Sequence, residues 1–76
     1  MKPYKNLRGN SSVVSYESGV DFIVVVFCKG AYRNYLYDSN VPGRCHVDRM
    51  KVLAEQGCGL GSYIATTVKS RYSRKW

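Results

Sequence analysis

Aromatic and basic side chains are interleaved in two stretches of this 76-residue chain, and these stretches are the most promising places for chemistry. Exposed aromatic rings on a sheet stack against nucleobases, while neighbouring Lys and Arg side chains hold the phosphates. The candidate nucleic-acid-binding residues are therefore Arg33, Tyr35 and Tyr37 in the first stretch, and Arg71, Tyr72, Arg74, Lys75 and Trp76 in the second.

The tyrosines of the first stretch have a second interpretation. Tyr35 and Tyr37 could belong to the hydrophobic core, because tyrosine is usually half-buried and a small domain has few other large side chains. Burial of these rings would favour a protein-interaction module over a nucleic-acid-binding one. The aromatic residues of the C-terminal stretch are expected to be free.

His46 is the only histidine, and it could act as the acid or base of an RNA-cleaving site. No residue near it in the sequence completes such a site, and a histidine on a helix surface is usually only solvated. The five carboxylates are scattered and are typical of turns and surface charge. We therefore predict that the chain is not an enzyme, and a ribonuclease is the weakest functional hypothesis.

The cysteines do not form a metal-binding pattern. Cys45, His46 and Cys58 match neither the C-x2-C nor the H-x3-H spacing of zinc sites, which need four ligands. Three cysteines cannot all pair within one chain, so we expect reduced thiols that are buried or half-buried. No metal and no cofactor are predicted.

The strongest compositional signal is charge. Twelve Lys and Arg residues against five Asp and Glu residues give a formal net charge of +7, which favours polyanionic partners. The partner could be RNA, DNA, an acidic protein or an anionic membrane surface. The longest apolar run, residues 22–28, is too short to span a membrane. Because no apolar segment follows Lys2 and Lys5, we expect no secretory signal and a cytoplasmic location.

Three β-strands are predicted over residues 12–17, 20–28 and 31–37, joined by tight turns at Ser18-Gly19 and Lys29-Gly30. If both turns have two residues, counting outward from each turn gives the residues that lie opposite each other on neighbouring strands. One face of the sheet would then be mainly aliphatic, and the other would carry the Tyr and Arg side chains. The aliphatic face would hold Val14, Tyr16, Ile23, Val25, Phe27 and Leu36, and the other Phe22, Val24, Val26, Arg33, Tyr35 and Tyr37.

Two helices are predicted after the strands. Over residues 44–56 the apolar positions fall at helical spacing, and Gly57 ends the helix. A second helix is predicted over residues 62–72, with Ile64, Ala65, Val68 and Tyr72 on its inner face. The expected fold is one α+β domain over residues 1–76: a three-stranded antiparallel meander followed by two α-helices packed on one face. Residues 1–10 would be an irregular basic lead-in, and residues 73–76 a basic and aromatic tail.

Short motifs along the chain resemble those of a known family. They are Ser11-Ser12-Val13, Phe27 with Gly30, Tyr35-Leu36-Tyr37, Val41-Pro42, and Gly61-Ser62-Tyr63-Ile64 with Lys69 and Tyr72. In these the chain resembles the KTSC domain, a module named for the C-terminus of some lysyl-tRNA synthetases. The resemblance covers residues 11–72. It implies a stand-alone form of the module, which occurs in bacteria and their phages, and it implies RNA binding as the suggested function.

Together these observations predict a small, basic, non-enzymatic module that binds nucleic acid, with RNA preferred to DNA. The alternative is a phage- or prophage-encoded protein-interaction module that docks on an acidic surface and modulates a host complex. The third strand is expected to have an uncovered edge, through which two copies could pair as a homodimer.

Overall fold

The computed structural model describes residues 2–7, 9, 12–69 and 71–76. An antiparallel sheet of five strands, hydrogen-bonded in sequence order, is combined with helices between its fourth and fifth strands. The α+β class is therefore confirmed, but the sheet has two strands more than predicted. The elements are β1 (Lys2–Pro3), β2 (Val13–Ser18), β3 (Phe22–Phe27), β4 (Asn34–Asp38), α1 (Arg44–Gln56), α2 (Leu60–Tyr63) continued by a π-helical turn (Ile64–Val68), and β5 (Arg74–Lys75).

The two additional strands come from the segments predicted to be an irregular lead-in and a free tail. β1 pairs with β2, and β5 pairs with β4, placing Lys75 opposite Tyr35. Asn34 and Trp76 also exchange backbone hydrogen bonds, each 3.0 Å long. The tail is thus part of the sheet, and the strand edge expected to be open for a homodimer is occupied by the chain itself. Strands of two residues have no alternating pattern that a sequence could show.

The register between β3 and β4 differs from the prediction by one residue. Val25 lies opposite Tyr35, and Ile23 lies opposite Tyr37. The Phe27 N–H donates to the carbonyl of Arg33 at 2.8 Å, so residues 28–32 form the loop and Lys29-Gly30 is not a two-residue turn. A shift of one residue moves every side chain of a strand to the other face. Both tyrosines therefore lie on the face predicted to be aliphatic.

Because of a β-bulge in β2, some side chains of this strand lie on the opposite face from the predicted one. The register shifts between Val13 and Ser15, so that Val13 pairs with Phe27. Val13 is consequently buried, whereas Val14, predicted on that face, is 49% exposed. Tyr16 lies opposite Val25, on the predicted face.

The two sheet faces have different roles. The inner face is defined by Val13, Tyr16, Ile23, Val25, Phe27, Tyr35 and Tyr37, and its buried members share one core with helical side chains. The outer face is defined by Glu17, Phe22, Val24, Val26, Asn34, Leu36 and Asp38. The helical contribution to the core is Val47, Met50, Ala54, Leu60, Ile64 and Val68.

The first helix has the predicted bounds. Val47, Met50 and Ala54 are buried along one stripe, and Gly57 ends the helix with a left-handed φ of 81°, which glycine adopts without steric cost. Lys51 is half-buried. Its ammonium donates to the carbonyls of Gly19 and Val20, which ties α1 to the turn between β2 and β3.

The second helix is shorter and less regular than predicted. It begins at Leu60, changes to π-helical geometry at Ile64, and ends at Lys69, whose φ is 50°. The Thr66 hydroxyl donates to the carbonyl of Ser62 at 2.8 Å, an i to i−4 bond that tends to bend helices. Tyr72 therefore lies beyond the helix rather than on its inner face, although it packs against the core.

The lead-in is held to the domain by a residue that was not expected to do so. Leu7 is 68% exposed, whereas Tyr4 is buried. The Tyr4 hydroxyl accepts a hydrogen bond from the Leu60 N–H at 3.2 Å. Leu60 is the first residue of α2, and the first N–H groups of a helix have no partner within it. Positions 1, 8 and 10 of the lead-in lie outside the described residues.

Replacing Tyr4 by Phe is expected to lower the free energy of unfolding by about 1–3 kcal/mol, because it leaves the buried Leu60 N–H without an acceptor. Urea denaturation followed by circular dichroism measures this change. The control is Tyr32→Phe, which removes the hydroxyl of a ring that is 51% exposed and should leave the stability within error. Equal stabilities of the two variants would contradict the role assigned to Tyr4.

Candidate functional site

A cleft of about 500 Å³ opens at one edge of the inner face. It lies where the end of β3, the strand β4 and the segment after the π-helical turn meet. We call it the aromatic cleft, and it is lined by Ser12, Phe27, Lys29, Tyr35, Tyr37, Ile64, Lys69 and Tyr72. Aromatic and basic side chains form most of this lining, so the cleft combines flat apolar surface with positive charge.

Edge-to-face packing fixes the aromatic rings of the cleft. The Tyr35 ring centroid lies 5.2 Å from that of Phe27 and 5.1 Å from that of Tyr72, with interplanar angles of 90° and 82°. Such perpendicular contacts are the favoured geometry for aromatic pairs. All three rings are half-buried, so each is held by its neighbours while keeping some surface exposed.

Three lysines surround these rings. Lys29 and Lys69 line the cleft, and both are exposed. Lys75 lies beside it on β5, with its Nζ 5.1 Å from the Tyr32 ring centroid and 5.3 Å from that of Tyr72. The neighbouring Tyr72 phenol raises the pKa of Lys75, so the side chain stays charged.

Tyr37 lies at the inner end of the cleft but is only 1% exposed. Burial raises the pKa of its phenol well above the usual value of about 10, and the neighbouring phenols of Tyr35 and Tyr72 raise it further. The ring of Tyr37 belongs to the core and has no free face on which a base could stack. This burial conflicts with the predicted stacking role of Tyr37.

The other predicted site residues are divided between the two sheet faces. Arg33 and Arg71 are exposed, the first before β4 and the second before Tyr72. Arg74 lies opposite Leu36 on the outer face. Trp76 lines a groove on the same face. The structure therefore brings Tyr35, Tyr72 and Lys75 together, and it places Arg74 and Trp76 elsewhere.

Sequence reasoning missed four residues of the site. Lys29 was assigned to a turn, Phe27 to the core, and Tyr32 and Lys69 had no role. Lys29 and Tyr32 lie where they do because the loop between β3 and β4 has five residues. The only sign of this loop in the sequence is a single glycine, Gly30. No local pattern indicates that Lys69 ends the helix.

The residues considered for catalysis and metal binding are not among those that line the aromatic cleft. His46 is half-buried on α1, where its Nδ1 lies 2.7 Å from the Tyr63 hydroxyl oxygen. Cys28 and Cys45 are exposed, contrary to the prediction, and Cys58 is half-buried. Within the described ranges, no three His, Cys, Asp or Glu side chains are grouped as metal ligands. No helix in that part of the chain has the length and apolarity needed to cross a membrane.

Comparison with known proteins finds no matching family model, no matching curated protein and no matching solved structure. The resemblance to the KTSC domain therefore rests on the short motifs of the sequence alone. The cleft has to be interpreted from its own geometry.

The raised pKa of Tyr37 predicts a loss of stability at alkaline pH. The Tyr37 phenol stays protonated in the folded protein, whereas in the unfolded chain it ionises near pH 10. The contribution of Tyr37 to the free energy of unfolding is therefore complete below about pH 10 and declines above it. Relative to Tyr37→Phe, the wild type should lose up to about 1.4 kcal/mol per pH unit above that point. Urea midpoints for both proteins between about pH 9 and pH 12 measure the difference. Parallel pH dependences would contradict this assignment.

Proposed function

We propose that this protein is a non-enzymatic module that binds single-stranded nucleic acid, preferring RNA, in the aromatic cleft. The observation that carries the proposal is the group of half-buried rings, Phe27, Tyr35 and Tyr72, with Lys29 and Lys69 lining the same cleft. Base stacking on aromatic side chains and phosphate binding by lysine are the two general means by which proteins hold single strands.

Rigidity supports the assignment of the rings as a stacking platform. Tyr35 makes edge-to-face contacts with both Phe27 and Tyr72, so its ring is already ordered before a base arrives. A preordered ring loses little conformational entropy on binding, which leaves more of the stacking energy available for affinity. The Lys75 ammonium, 5.3 Å from the Tyr72 ring centroid, makes a cation–π contact with the second ring.

The shape of the cleft favours unpaired nucleotides. Its rings are half-buried, and a base within a duplex is already stacked between its neighbours, so it is not free to stack on them. Sequence-recognised RNA is mostly single-stranded, with splayed bases that stack on aromatic rings. The preference for RNA over DNA follows from the KTSC resemblance, for which RNA binding is the suggested function.

The alternative, a module that docks on an acidic protein surface, receives some support from the burial of Tyr37. Tyr35 and Tyr72, in contrast, keep exposed surface in the cleft. Capture of partners from a lysate with and without nuclease separates the two functions. A partner that is retained after nuclease treatment, with no nucleic-acid affinity in the purified protein, would favour the alternative.

Tyr72→Leu should weaken the binding of a single-stranded RNA by about 5- to 150-fold, the equivalent of one lost base–ring stack of about 1–3 kcal/mol. Tyr72→Phe keeps the ring and should bind nearly as well as the wild type. Fluorescence anisotropy with a labelled mixed-sequence RNA measures both, with duplex RNA and single-stranded DNA of the same sequence as comparisons. Thermal melts of the variants show whether each is folded. Wild-type affinity in a folded Tyr72→Leu protein would exclude stacking at this site.

Lys69→Gln should reduce the salt dependence of RNA binding, because one phosphate contact to a single strand contributes about 0.7 to the slope of log K against log salt. Arg49→Gln on α1 removes the same charge from an exposed position outside the cleft and is the matched control. Binding titrations over a series of salt concentrations give the slopes. Identical slopes for the two variants would indicate that net charge alone, and not the cleft, attracts the RNA.

A further inference from the structure

A second groove, of about 470 Å³, lies on the outer face of the sheet. Its apolar lining consists of Phe22, Val24, Leu36 and Trp76. The helical side chains of the core pack with the inner face, so these outer residues are not part of that core. Val24 is buried at the bottom of the groove, Phe22 and Leu36 are half-buried, and Trp76 is exposed, so the apolar surface open to another molecule is that of the last three residues.

The charge of this groove is opposite to that of the whole protein. Glu17, Asp21 and Asp38 line it, which are three of the five acidic residues in a chain of net charge +7. Within the part of the chain that the structure describes, the one ion pair joins Arg44 and Asp48, so none of these three carboxylates is ion-paired there.

Asp38 remains ionised under ordinary conditions. The N–H of Val41 donates to its Oδ1 at 3.0 Å and lowers the pKa of the carboxyl, against a smaller opposing effect of burial. Ser73 and the N–H of Asn40 lower it further. Because Asp38 already accepts these hydrogen bonds, the two exposed carboxylates of Glu17 and Asp21 are the ones available to a partner.

Trp76 completes the groove with a ring that attracts cations. The guanidinium carbon of Arg74 lies 5.9 Å from its ring centroid, within the range of a cation–π contact. The indole is 49% exposed, so part of its surface remains accessible. The groove thus offers an apolar floor, an aromatic ring and free carboxylates.

We propose that this outer groove docks a cationic amphipathic segment of a partner protein. Apolar side chains of the segment would cover Phe22 and Leu36, while its Lys or Arg side chains would reach Glu17 and Asp21. Charge complementarity selects this occupant over nucleic acid, whose phosphates the carboxylates repel. Among the residues described, the lining of the groove contains no Lys or Arg, although the Arg74 guanidinium lies beside it against the Trp76 ring. Positive charges more than about 10 Å away are screened at 0.1 M salt. This surface is separate from the aromatic cleft and does not depend on nucleic-acid binding.

Trp76 is the only tryptophan, so its fluorescence reports directly on the groove. The probe is a synthetic amphipathic peptide with Leu at helical spacing and Lys at the other positions, free of aromatic residues. Titration should give a saturable blue shift of the emission, because the peptide removes water from the indole. The same peptide with Glu in place of Lys should give no shift.

The double variant Glu17→Gln/Asp21→Asn should bind the Lys peptide about fivefold more weakly, since it loses two exposed ion pairs of modest strength. The control variant Glu55→Gln removes a carboxylate from α1, outside the groove, and should bind like the wild type.

Three results would overturn the proposal. One is equal peptide affinity in the wild type and the double variant, and another is a spectral shift with the Glu peptide. The third is a change in Trp76 emission that depends on protein concentration or on added single-stranded RNA without peptide, which would assign the groove to a second copy or to nucleic acid.

Discussion

The pairing of β3 with β4 is the constraint on which the rest of the structure depends. With Val25 opposite Tyr35 and Ile23 opposite Tyr37, both tyrosines point to the same side of the sheet as the aliphatic side chains of β3. This places two large rings on the face that packs with the helices. A register shifted by one residue would turn Leu36 inward and both tyrosines outward. The five-residue loop between these strands therefore decides whether the molecule has an aromatic cleft at all.

The helices determine which of the two tyrosines is covered. Tyr37 is buried in the core that includes Val47 and Met50, whereas Tyr35 packs against that core and is only half-buried. The π-helical turn ends at Val68, so no helix continues over Tyr35. The chain then returns along β4 as β5, which brings Tyr72 against the exposed side of that ring. The cleft is the space left by a helix that is shorter than the sheet it covers.

The parts of this fold that the sequence predicts are those set by local, repeated patterns. The bounds of α1 follow from an apolar stripe and from Gly57, and β3 follows from an apolar run. Such elements can be predicted because burying one side of a helix, or a whole strand, requires several apolar residues at regular spacing. The length of a loop depends on single residues and on packing between residues that are far apart in the sequence. Both turns are therefore longer than predicted, and Tyr35 and Tyr37 lie on the opposite face of the sheet from the predicted one. β1 and β5 have two residues each and form only because an ordered strand is already present beside them. The site combines all these non-local features, which is why only Tyr35, Tyr72 and Lys75 of the predicted group lie together.

The sheet separates two surfaces of opposite character. Along β4, Tyr35 faces the basic cleft, and the next residue, Leu36, faces the acidic groove. β5 repeats this alternation, with Lys75 beside the cleft and Arg74 on the outer face. Because successive side chains of a strand point in opposite directions, a few residues at one sheet edge can serve two different ligands without contact between them. The C-terminal residues therefore do more than cover the edge of β4. Lys75 supplies a cation to one surface, and Trp76 supplies an aromatic ring to the other.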